Sequence, residues 1–266
     1  MVISIYLSFT RYNLFGAPVF QGVENYLELL RDDLILTSLA NTSYYAFIGV
    51  PLYTVTALVV AFLLNQDVRG VYLFRTLYYI PTIVPAVAGT LIWLWIFNSE
   101  FGLANMLLRS LGLPPQRWFF DVNQAKPMLI LMNLWAFGPA MVLFLAALQG
   151  IPKELSDAAS IDGANGWQRF RSVTVPMISP VIFFNLVTGF IAAFQVFTPA
   201  YIATGGGPAN ATLFYVLYLY RVAFDFGKFG YAAAMAWLLF TIILGFTLLQ
   251  LYVSRRWVYY ESSPGA

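Results

Sequence analysis

The chain has 266 residues, of which 60% are hydrophobic and 10% charged, with a formal net charge of +2 and a mean hydropathy of +0.73. That balance lies outside the range of soluble domains and identifies a membrane protein. It also excludes a nucleic-acid partner, because the longest basic run is the pair Arg255-Arg256 and a polyanion needs a concentrated basic face.

Two further exclusions follow from residues that are missing. With no cysteine there is neither a disulfide framework nor thiol chemistry, and with no histidine the Ser-His-Asp and Cys-His nucleophiles, His-ligated zinc and the usual haem ligands are all ruled out. No phosphate-binding G-x-x-x-x-G-K-[ST] loop occurs, and Gly227-Lys228-Phe229 matches only its end. No catalytic residue, metal site or cofactor is therefore expected, and nucleotide hydrolysis belongs elsewhere.

A hydrocarbon core about 30 Å thick requires roughly 20 apolar residues in a helix, whose backbone groups pair within the segment. In chain order, Met1–Phe9 is apolar but only about half long enough. It lacks the charged flank and cleavage site of a signal peptide, so it reads as a clipped first helix, as a start codon set too late would produce. Five stretches then meet the requirement, each free of charge in its interior: Leu39–Leu64, Leu77–Phe97, Pro127–Leu148, Met177–Ile202 and Phe229–Val253. The expected fold is all-α, a polytopic membrane bundle of five full spans plus a truncated first one.

The connections differ in character. Residues 66–76 are short and basic, whereas residues 98–126 are long, mixed in charge and broken by Gly102, Gly112, Pro114 and Pro115. Leu213–Phe224 is too short to cross, and its tyrosines with Arg221 suggest a segment lying among headgroups. Placing the loops after Leu64, Leu148 and Val253 inside the cell puts Arg69, Arg75, Lys153, Arg169, Arg171, Arg255 and Arg256 there, and an equal number of basic residues outside. The shorter inside loops decide that orientation.

Residues 150–176, GIPKELSDAASIDGANGWQRFRSVTVP, form the most informative loop. Pro152 suits a first helical turn, and Glu154 and Asp157 lie near the positive end of the helix dipole. The expected helix has a face of Leu155, Ala158, Ala159 and Asp162, on which two alanines allow close approach by a partner. Gly163 stands where a helix end favours positive φ. Asn165 with Gln168 three residues on forms a variant capping box for a second helix carrying Trp167, Phe170 and Val173. The sequence thus predicts a helix, glycine turn and helix in the cytoplasm, which by itself is equally an ordinary surface hairpin.

This loop resembles the EAA loop of ABC importer permeases, in which E-A-A is followed after three residues by G-A, then by a Phe and a closing Pro. Asp157-Ala158-Ala159, Asp162-Gly163-Ala164, Phe170 and Pro176 fall on that pattern, with Asp157 shortening the reach of the family's Glu while keeping its charge. Gly22-Val23-Glu24-Asn25-Tyr26, the stretch from Arg75 to Pro81, Phe101-Gly102-Leu103-Ala104-Asn105 and Gly206-Gly207-Pro208 are similar to the sugar-importer permeases of the maltose and glycerol-3-phosphate type. The resemblance covers nearly the whole chain, and in the family a span precedes the equivalent of residues 6–15.

What the resemblance implies is a single transmembrane permease domain over 1–266, in a prokaryotic cell membrane and contacting its lipid. It also implies ABC ATPase subunits that bind the ATP, a second and different permease chain, and an extracytoplasmic binding protein that delivers a sugar or polyol. Asp157, Ala158, Ala159, Asp162, Gly163, Ala164 and Phe170 become the expected ATPase-coupling residues.

For a neutral solute the expected path residues are the polar and aromatic ones within spans: Asn133, Trp135, Asn185, Thr188, Gln195 and Thr198, with Gln195 foremost because it lies near the middle of its predicted span. The ordinary alternative for each is an interhelical hydrogen bond. Ion-coupled carriers keep charge within the membrane, and its absence here favours an outside energy source. A stand-alone sugar carrier or facilitator passes the same test but has no use for the hairpin. A membrane enzyme would gather several charged groups on one face, whereas the carboxylates here lie in the loops.

Overall fold

The computed structural model describes residues 1–66 and 69–259. It begins with helix α1 (Val2–Ser8), a hairpin of β1 (Thr10–Arg11) and β2 (Val19–Phe20), and α2 (Glu24–Leu29). The long α3 (Asp33–Leu64) is followed by α4 (Val71–Tyr79), α5 (Ala86–Ile96), α6 (Leu103–Ser110), α7 (Ala125–Leu134) and α8 (Gly138–Gln149). Next come α9 (Lys153–Ile161), α10 (Gly166–Arg169), α11 (Val175–Phe194), α12 (Thr198–Ala203), α13 (Tyr215–Tyr220) and α14 (Phe229–Ser254). The all-α expectation holds.

Among the described residues three helices are long and apolar enough to cross unbroken: Asp33–Leu64, Gly166–Phe194 and Phe229–Ser254. The spans expected over Leu77–Phe97 and Pro127–Leu148 are instead bent pairs, at 101° between α4 with its following turn and α5, and at 48° between α7 and α8. Counting each pair as one span gives five.

Proline chemistry accounts for each break. Val84, preceding Pro85, is extended at ψ 124, as steric conflict with the proline ring requires. Pro139 enters the first turn of α8, where it needs no N–H donor, but its ring would clash with the Trp135 carbonyl in a continuous helix. Pro199 plays the same part in α12, so the span expected over Met177–Ile202 ends at Phe194. Pro51 and Pro180, by contrast, lie inside continuous helices, as membrane spans tolerate when freed backbone groups find other partners.

The chain forms two compact units. One comprises Met1–Ile48, Pro85–Met132 and Ile191–Phe246. Its core includes Phe119, Leu129, Leu213, Phe214, Tyr215, Leu217 and Met235, all at most 1% exposed. Here most of the segment expected among headgroups proves to be interior, with Phe224 at its end exposed. Tyr215 donates its hydroxyl to the Met235 carbonyl at 2.9 Å and Arg221 donates to the Gly205 carbonyl, so the polar ends are satisfied within protein.

Asp32 fastens the same unit. Its Oδ1 accepts from Leu34 N at 2.9 Å at the start of α3, while Oδ2 accepts from the hydroxyls of Tyr218 (2.6 Å) and Tyr231 (2.9 Å). Burial, with the Asp32 carboxylate beside it, pushes the Tyr218 phenol above its usual range and keeps it a donor at physiological pH. Asn41 donates to the carbonyls of Asn210 and Leu213 and accepts from Lys126 Nζ, tying α3 to the 205–214 loop.

The other unit comprises Gly49–Val84, Asn133–Phe190 and Thr247–Ala266, described as far as residue 259. Ala57, Ala61 and Leu64 of α3 pack with Ala140, Met141, Phe144, Leu145 and Leu148 of α8 and with Ile178 of α11. Small side chains let the backbones approach, which is how membrane helices associate without a hydrophobic driving force between them. At Gly189 the approach of α11 to α3 is close enough that a Cβ would stand 2.8 Å from Val50 Cγ1.

Candidate functional site

The 150–176 loop folds as its sequence predicts. Pro152 at ψ 132 precedes α9, and Glu154 occupies the first turn. After Asp162 the chain turns at Gly163, with φ +79. Gly163 N donates to Ser160 O at 3.1 Å and Ala164 N to Ala159 O at 2.9 Å, the paired bonds of a Schellman ending.

Asn165 then caps α10. Its side-chain oxygen accepts from Gln168 N at 2.9 Å, and Gln168 Oε1 accepts from Asn165 N at 2.7 Å. Arg169 Nη1 donates to Ser160 Oγ at 2.9 Å and braces the two helices. Replacing Asn165 by Ala is expected to cost about 1 kcal/mol and to speed amide exchange at residues 166–169 roughly fivefold, measurable by hydrogen–deuterium exchange. Unchanged protection would show that the cap contributes nothing.

All seven expected coupling residues fall in this hairpin and its exit. Asp157, Ala158, Asp162 and Gly163 are exposed, while Ala159, Ala164 and Phe170 are half-buried. The hairpin also exposes apolar side chains: Leu155 at 41%, Ile161 at 87% and Trp167 at 69%. A segment that is both rigidly capped and apolar on its outside has the character of a docking surface. Beyond α10, residues Phe170–Thr174 form a π-helical turn leading into α11.

The expected path residues are dispersed along the chain. Asn133 lies in the last turn of α7 and Trp135 in the break that follows, where Asn133 O accepts from Ala136 N at 3.2 Å. Asn185 is buried in α11 and donates to Val181 O at 2.9 Å. Thr188, exposed, donates to Phe184 O at 2.8 Å. Gln195 is not at mid-span: it lies just past the end of α11, exposed, donating to Ile191 O at 3.0 Å. Thr198 opens α12. Among the described residues Asn185, Thr188 and Gln195 thus bond back to α11 instead of across to another helix, and the latter two keep hydrogen-bonding capacity on an exposed face.

The family pattern described as "Binding-protein-dependent transport system inner membrane component" matches residues 35–259. The chain belongs to this family. It is 43% identical over 264 residues to the protein named "Probable ABC transporter permease protein YesP" of Bacillus subtilis, covering 97% of this chain and 85% of that one. It is 35% identical over 237 residues to "Trehalose/maltose transport system permease protein MalF" of Thermococcus litoralis, covering 89% and 80%. The fold matches the "Crystal structure of a bacterial ABC transporter involved in the import of the acidic polysaccharide alginate" at a TM-score of 0.84 and 20% identity, covering 96% of this chain and 88% of that one.

The permease is accordingly a membrane transport component and not an enzyme. Sequence reasoning passed over two of its side chains. Tyr53, within an apolar run, donates its hydroxyl to Ala136 O at 3.3 Å and so serves a carbonyl at the α7–α8 break. Phe62 meets the Phe170 ring at 5.5 Å. Neither carries a local signal, because each partner lies far along the chain.

Proposed function

We propose that this permease is the path-forming subunit of an ATP-binding cassette importer that admits a sugar or related polyol delivered by an extracytoplasmic binding protein. Its setting is a prokaryotic cell membrane, with the hairpin on the cytoplasmic side. ABC ATPase subunits bind the ATP and receive the hairpin through Asp157, Ala158, Ala159, Asp162, Gly163, Ala164 and Phe170, and a second permease chain completes the pathway. The observation that carries this reading is the exposed apolar triplet Leu155, Ile161 and Trp167 on a hairpin fixed by a Schellman turn and a capping box.

The solute class draws support from a relative named for trehalose/maltose and from the lack of charged residues in the interiors of the long helices, residues 39–64, 177–194 and 229–253. In this reading Asn133, Trp135, Asn185, Thr188, Gln195 and Thr198 are the residues that meet the solute, Thr188 and Gln195 foremost because they are exposed. The test is uptake of labelled maltose, trehalose and glycerol 3-phosphate into proteoliposomes holding the permease with its co-purifying chains. Uptake of one of them is expected only with ATP inside and binding protein outside, and Gln195→Ala is expected to lower it about tenfold, the loss of one polar contact. Equal uptake by the permease alone, without nucleotide, would establish a stand-alone carrier instead.

A further inference from the structure

The hairpin is joined to its own unit by rings. Trp167 stacks on Phe170, centroids 5.5 Å apart with planes at 26°, and Phe170 meets Phe62 edge-on at 5.5 Å and 77°. Phe62 lies in the last turn of α3. Two residues on, the Leu64 carbonyl accepts from Arg75 Nη2 at 3.0 Å, and Arg75 belongs to α4. The turn after α4 is seated on α8 so closely that a Cβ on Gly138 would stand 2.8 Å from Thr82 Cγ2.

Packed contacts therefore run without a gap from exposed Trp167 through Phe170 and Phe62 to the end of α3 and into α4. Two features mark this run as able to shift. The π-helical turn at Phe170–Thr174 is a wide register that interrupts α-helical bonding at the hairpin's root, so force applied to the hairpin is shared with the Phe170–Phe62 contact and not borne by α11 alone. Among the described residues Arg75 Nε is enclosed without a hydrogen-bond partner, while its guanidinium lies 5.4 Å over the Tyr72 ring. An enclosed donor left unpaired in one arrangement has a bond to gain in another.

We propose that Phe62 and Arg75 are positioning residues that pass movement of the hairpin into α4 by way of Phe170. The inference rests on the importer reading above. It assigns to Phe62, a lipid-compatible residue at the end of an apolar helix, a place in energy coupling, and it makes the cation at Arg75 the second link.

The test uses the whole complex in proteoliposomes, with ATP hydrolysis stimulated by binding protein as readout. Phe62→Ala and Phe170→Ala are each expected to lower stimulation about tenfold, within the range of coupling energies along packed networks. The double variant is expected to lose no more than either single one, because both cut the same link. Phe62→Tyr, which keeps the ring, retains more than half, and Phe62→Leu, which keeps only apolar volume, behaves as Ala does. Arg75→Met is expected to match Phe62→Ala.

Because the chain has no cysteine, Ile161→Cys gives a single-site crosslink that reports docking of the hairpin on the ATPase, and its yield is expected to be unchanged by Phe62→Ala. Losses that multiply in the double variant, or stimulation within twofold of the native level in Phe62→Leu, overturn the relay while leaving the importer reading intact. Absence of any Ile161→Cys crosslink to an ATPase in the otherwise native complex overturns the importer reading itself.

Discussion

Valine in place of Gly163 lowers binding-protein-stimulated ATP hydrolysis of the reconstituted complex by about tenfold or more, while the chain still inserts and assembles. Gly163 holds φ +79, and no atom lies within 4 Å of where its Cβ would be. The cost is therefore conformational and not a clash: an L-residue there is strained by roughly 1–2 kcal/mol, and a β-branched one by more. Relief comes from abandoning the turn, which breaks the bonds from Gly163 N to Ser160 O and from Ala164 N to Ala159 O. A hairpin that has lost its fixed angle yields under load instead of transmitting it. Gly163→Asn supplies the control, since asparagine tolerates the left-handed region and is expected to keep most of the stimulation. Full stimulation in the valine variant would mean that the angle of the hairpin is irrelevant to coupling.

The second large effect lies at Gly230, in the first turn of α14. There the helix backbone meets the segment from Thr10 to Tyr12, and Gly230 N donates to Tyr12 O at 3.2 Å. A Cβ would stand 1.9 Å from the Thr10 carbonyl oxygen and 3.2 Å from Tyr12 N. Both are backbone atoms, so no rotamer change makes room. Gly230→Ala is expected to displace the β1 strand and to destabilise the first unit by on the order of 1–3 kcal/mol, the usual range for overpacking, or more. A fall in the thermal midpoint of the detergent-solubilised permease measures it. Gly245→Ala on the same helix, where nothing lies within 4 Å, is expected to be neutral or to stabilise slightly, since alanine is the better helix former. Equal midpoints for the two variants would remove the argument.

The contrast between these glycines bears on what can be read from a sequence. Gly163 announced itself because helix endings are local: the cap, the turn and the following Asn165–Gln168 box lie within ten residues, 159–168, and their hydrogen bonds join near neighbours. Gly230 gave no sign, because the atoms that forbid a side chain there come from the other end of the chain. Path residues fared as partial cases. Polar identity was visible, but whether Gln195 sat mid-helix depended on Pro199, whose effect reaches back four residues.

By itself the sequence determined a polytopic all-α membrane chain, the long spans centred in Asp33–Leu64 and Phe229–Ser254, and the capped hairpin with every expected coupling residue in or beside it. These follow from hydropathy, segment length and bonds between near neighbours, which any conformer of the chain must satisfy. Tertiary structure alone decided the rest. Tyr218 and Tyr231 meet Asp32 across 186 and 199 residues, withdrawing from solvent a segment whose composition suited headgroups. Phe62 found Phe170, and the second and third expected spans took their bends of 101° and 48°. Such pairings are fixed by which helices pack together, and an apolar side chain looks the same in the sequence whether it faces lipid, a neighbouring helix or the ring that links it to a moving part.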